Sequence, residues 1–79
     1  MTVDETQTAR KGLLKFLARK GGSSHISELH EHSTLRFAAG HQAFSQLMEG
    51  LVADGLVMYD GAVFHLTDAG REFCKAMLL

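Results

Sequence analysis

The stretch from His41 to Leu66 has the least freedom of any part of this chain. Phe44, Leu47, Met48, Leu51 and Val52 recur at three- and four-residue intervals. They form one apolar stripe on a helix predicted over His41 to Asp54, with Gln42, Ser45, Gln46 and Glu49 opposite. Gly55 follows where a left-handed C-terminal cap is needed, and Leu56 stands where such caps make their hydrophobic contact. Two β-rich runs, Leu56 to Tyr59 and Ala62 to Leu66, then flank Asp60-Gly61, a dipeptide preferred by two-residue hairpin turns because both central residues need positive φ. That turn predicts Tyr59 opposite Ala62, Val57 opposite Phe64 and Met58 opposite Val63. Gly50, inside the helix, costs about 1 kcal/mol against alanine, so the sequence predicts either a close neighbour or a bend there.

The flanking segments read as helices with breaks between them. Ala9, Leu13, Phe16 and Leu17, with Leu14 and Ala18 beside them, predict an amphipathic helix from Thr6 to Lys20. Residues 1–5 are expected to fray. Asp4 and Glu5 precede the helix, Arg19 and Lys20 end it, and Gly21-Gly22 stops it, the charge order that the helix dipole favours. His25-Ile26 reads as one extended step. Ser27 is the expected cap of a short helix from Glu28 to His32, with Leu29 inward. Ser33 to Gly40 has no clean period and reads as a turn or an irregular extra turn. Thr67 caps a last helix, Asp68 to Leu78, whose expected inner face is Ala69, Phe73, Ala76 and Met77.

Seventy-nine residues hold one core, so a single domain spanning 1–79 is expected. No apolar run approaches the roughly 20 residues of a bilayer span, and the acidic start is unlike a signal peptide. These features predict a cytoplasmic chain with no membrane contact. The lone Cys74 reads as packing. A formal net charge of −1 carries no bulk signal for nucleic acid.

Helix, short helix, longer helix, hairpin, helix is the order of a winged helix, a helix-turn-helix variant. Leu47, Leu51, Asp54-Gly55-Leu56-Val57 and Leu66-Thr67-Asp68-Ala69-Gly70 resemble the L…L…xGLV…LTxxG pattern of MarR- and PadR-type bacterial transcription regulators, over Ser27 to Gly70. The resemblance implies an α+β, mostly helical fold: three helices, a two-stranded hairpin wing and a C-terminal helix. It also implies that His41 to Asp54 is the recognition helix, Ser27 to His32 its support and Tyr59 to Ala62 the wing. The sequence departs from the pattern in a longer link before the third helix and in a minimal wing tipped by Asp60-Gly61 rather than by basic residues.

Gln42, Ser45 and Gln46, with His41 near the helix start, are neutral groups suited to base edges. The same helix has no lysine or arginine, so Arg36 just before it is the expected phosphate contact. Lys11, Lys15 and Arg19 recur every fourth residue as a basic stripe, either a solvated face or a second phosphate contact. Metal binding is not expected: His30 and His32, two apart on a helix, point to different faces, and no cysteine pair or His-Glu-x-x-His pattern occurs. No cofactor is expected. Nor does the sequence assemble a nucleophile with a positioned base, so an enzyme is not expected. Met58 and Val63 on the hairpin, with Met77, Leu78 and Leu79 at the end, exceed what so small a core needs and mark a surface for a homodimer or another protein. Two functions therefore stand: a regulator or accessory factor binding double-stranded DNA, and a protein-interaction module without DNA.

Overall fold

Helix α1 (Val3–Arg19) starts three residues earlier than the apolar pattern suggests. The Thr2 hydroxyl accepts from the Glu5 amide at 3.1 Å and the Glu5 carboxylate accepts from the Thr2 amide at 3.3 Å, a reciprocal cap that makes residues 3–5 helical. Hydrogen bonding from the Thr2 amide, then from the Thr2 hydroxyl, holds the Glu5 carboxyl below its usual range. The computed structural model describes residues 2–78, with side chains for residues 2–76. At the far end of α1, Gly22 donates to the Leu17 carbonyl at 2.8 Å and Gly21 to that of Ala18 at 3.2 Å, with both glycines at positive φ.

The break after α1 is a strand, β1 (Ser23–His25), and helix α2 (Ile26–Phe37) begins at once. Its cap is His25 rather than Ser27: Nδ1 of His25 accepts from the Ser27 amide at 3.1 Å. The helix is twelve residues long, where the sequence predicted five. Ser33 and Thr34 donate their hydroxyls to the His30 carbonyl at 2.9 and 3.0 Å, so both polar side chains are satisfied inside a continuing helix. Ala38, at φ 53°, then ends it.

Helix α3 (His41–Ala53) ends as expected, with Gly55 (φ 75°) donating to Val52 and Leu56 to Leu51, each at 3.0 Å. Phe44, Leu47, Met48 and Leu51 are buried, but Val52 is 43% exposed, so the stripe is one residue narrower than predicted.

Strands β2 (Val57–Tyr59) and β3 (Val63–Leu66) form the predicted hairpin in a different register: Val57 opposes Leu66, Met58 opposes His65 and Tyr59 opposes Phe64. Asp60 is the reason. Its Oδ1 accepts from the Ala62 and Val63 amides at 3.0 and 2.8 Å, and only Gly61 takes a positive φ, so Gly61-Ala62 becomes the turn's centre. β1 pairs antiparallel with β3, so the hairpin is part of a three-stranded sheet of order β1-β3-β2, not the two-stranded ribbon expected.

Thr67 caps helix α4 (Asp68–Leu78) by accepting from the Gly70 amide at 3.0 Å. The buried face of this helix is Gly70 and Cys74, while Ala69, Phe73 and Ala76 are exposed; Met77 lies outside the residues whose side chains are described. Gly70 sets that rotation, because a Cβ there would strike the Leu56 carbonyl. Leu13, Leu14 and Leu17 of α1, Leu29 of α2, Leu51 of α3 and Val57 of β2 are the largest apolar side chains fully sealed in the single core cluster. Each contributes roughly 1.5–3 kcal/mol. Cys74 belongs to it, and burial pushes its thiol up, as expected of a packing cysteine.

Candidate nucleic-acid interface

Spacing of four puts Lys11, Lys15 and Arg19 on one face of α1, and the extra turns of α2 carry Arg36 to the same place. Together they line a groove of about 360 Å³ between the two helices. Its floor is apolar and aromatic: Phe16 stacks on His32 at 4.3 Å, and Phe37 meets His32 edge-on at 6.0 Å. Phe37 can lie there because residue 12 is glycine; a Cβ would run into its ring.

The charges in this groove are free. Arg10 is bound to Asp54, Lys20 pairs with Glu28 at 2.9 Å and Lys75 with Glu72 at 3.4 Å, whereas Lys11, Lys15, Arg19 and Arg36 have no acidic partner among the described residues. Asp4 and Glu5 share a neighbouring hollow with Arg36 but do not pair with it. His32 registers the surplus: burial, then the charges of Arg36 and Arg19, push its imidazole below the usual range.

The outer face of α3 has a different character. His41, Gln42, Gln46 and Glu49 are exposed and Ser45 is half-buried, as the pattern predicts, but no α3 residue lines the basic groove. Gln42 and Gln46 border instead a hollow on the other flank of α1, beside Thr6 and Arg10. Crowding does not explain Gly50: the Arg10 guanidinium carbon would lie 4.0 Å from a Cβ there, an ordinary contact. His41 packs near His30, ring centroids 5.3 Å apart. The expected phosphate contacts are thus gathered with one another and separated from the expected base-reading residues. Arg36, in particular, belongs to the last turn of α2 and not to the α3 face.

The expected partner surface is also resolved in part. Met58 is 61% exposed and Val63 half-buried on the same sheet face, but Met58 lies across from His65 rather than Val63. Met77 and Leu78 lie outside the described side chains. No helix among the described residues is long and apolar enough to cross a membrane.

That sheet face carries a group the sequence did not announce. Ser23 Oγ lies 2.7 Å from His65 Nδ1, and His65 Nε2 lies 3.1 Å from Asp60 Oδ2. Hydrogen bonds from the Val63 amide, His65 and the Ala62 amide hold Asp60 at about 2, well below the usual carboxylate range. Ser23 and His65 are 42 positions apart and meet only through the β1–β3 pairing. Ser23, Ser24 and His25 are all polar, so no alternation in the sequence marked this strand or the face that Ser23 takes. His32, Phe16 and Phe37 in the groove were missed for a similar reason, since the helical extension of α2 was not predicted. Set against known proteins, the chain matches no family model and no curated protein.

Proposed function

We propose that this chain is a winged-helix nucleic-acid-binding domain of a transcription regulator or accessory factor, holding backbone phosphates in the α1–α2 groove. One observation carries the reading: Lys11, Lys15, Arg19 and Arg36 share a groove with no acidic partner among the described residues. Unpaired cations held by two helices are the electrostatic footprint of a polyanion. The winged-helix assignment is supported by the helix and strand order and by the Gly55-Leu56-Val57 and Leu66-Thr67-Asp68-Ala69-Gly70 segments. Any base reading falls to Gln42, Ser45 and Gln46, which have the right donors and acceptors, while Glu49 among them opposes phosphate.

A labelled duplex titrated at two salt concentrations tests this. Four phosphate contacts at about −0.9 each predict a log–log slope of about −3 to −4. Absence of binding at low salt would sink it and favour the second reading, a protein-interaction module. That alternative is supported by Met58, a large apolar side chain exposed on the edge strand β2.

A further inference from the structure

We propose that the outer face of the sheet is a second site, in which Ser23 is a nucleophile for acyl transfer, His65 its base and Asp60 the residue that positions the base. The site shares no residue with the α1–α2 groove, so it stands or falls independently of the nucleic-acid reading.

The protonation pattern follows from the hydrogen bonds. Asp60 commits Oδ1 to the Ala62 and Val63 amides, leaving Oδ2 to face His65 Nε2 at 3.1 Å. An ionised carboxylate only accepts, so Nε2 carries the ring proton of neutral His65. Nδ1 is then a lone pair 2.7 Å from Ser23 Oγ, and the hydroxyl must donate to it. A hydroxyl donating to a base that a carboxylate orients is the arrangement that activates serine.

The strand register supplies two further parts. Leu66 donates to Gly22 at 2.7 Å and Ile26 to Ala62 at 2.8 Å. The intervening Ser23–His65 pair is therefore a non-hydrogen-bonded one, with the Ser23 amide turned away from β3. That amide is on the nucleophile's own residue, where a donor can meet a developing oxyanion. Met58, directly opposite His65, and Val63, two residues along β3, place apolar side chains on the same sheet face beside His65. The chemistry fits activated esters of small apolar acids. Oγ attacks the acyl carbon and His65 Nδ1 takes the hydroxyl proton. The ester C–O bond then breaks, and His65 returns that proton to the departing alkoxide. Water, with His65 again as base, releases the acid from Ser23.

The test treats the full chain with an alkyl fluorophosphonate, from which Oγ displaces fluoride, and with p-nitrophenyl butyrate. We expect one phosphonate adduct, mapped by mass spectrometry to Ser23, and release of p-nitrophenol that S23A lacks. H65Q should slow labelling about 100-fold or more. D60N keeps an acceptor for the two amides but presents a donor to Nε2, forcing the proton onto Nδ1. It should slow labelling comparably and lose the rise of rate with pH, while its unfolding temperature stays near that of the parent. No adduct, an adduct on another residue, or Ser23 labelling at the parent rate in H65Q would overturn the proposal.

Discussion

The α1–α2 groove and the outer face of α3 are both polar helical surfaces, yet they differ in how their charges are held. In the groove, four cations stand without acidic partners among the described residues, over an aromatic floor; on α3, neutral side chains surround Glu49, and the nearby Arg10 is occupied by Asp54. Affinity for a polyanion comes mainly from cations whose charge is not already neutralised. By that criterion, on the proposed reading, the groove is the anchor and α3 at most discriminates. Sequence position alone points the other way, since the helix leading into the hairpin attracts attention first.

The largest test of this difference removes charge from one surface and polarity from the other. K15A/R36A should weaken duplex binding by about 10- to 100-fold at low salt and reduce the salt slope by about 2, whereas Q42A/Q46A should change nonspecific affinity by less than about 3-fold. Equal losses in a titration would break the contrast.

A smaller effect is expected from G12A, which leaves every charge in place. The added methyl meets the Phe37 ring, so the variant should lose about 1–3 kcal/mol of stability by thermal unfolding and bind less tightly as the groove floor shifts. Unchanged unfolding and unchanged binding would show that Phe37 does not shape the site.

The smallest effect concerns pH. The His32 pKa is lowered in the folded chain, so the unfolded state binds more protons near pH 6. The contribution to stability is present above the ordinary histidine value and is lost as pH falls through it toward the folded value. A bound phosphate should oppose that shift, so duplex affinity should rise modestly from pH 8 to pH 6, and H32N should flatten the rise. A wild-type affinity independent of pH over this range would separate His32 from the bound anion.

Where side-chain periodicity and capping chemistry act within a few residues, the sequence was a good guide. The stripe of α3, the Gly55 cap, the Thr67 cap, the inward Leu29 and the packing role of Cys74 are all local consequences of residue type and spacing. The basic stripe of α1 was legible too, as three cations four residues apart. It was not legible that Arg36 joins them. That depends on Ser33 and Thr34 bonding back to the His30 carbonyl and so allowing α2 to continue, a choice these residues leave open until the rest of the chain packs.

By itself the sequence determined the existence of four helices and a hairpin and the buried faces of α1 and α3, because burial of an apolar stripe and satisfaction of helix-end amides are decided within one or two turns. Only the tertiary structure decided the hairpin register, the third strand, the rotation of α4 about Gly70, the basic groove and the Ser23–His65–Asp60 chain. Each of these joins residues far apart along the chain, and the energies that join them, steric fit and hydrogen bonds across strands, exist only after the elements have met.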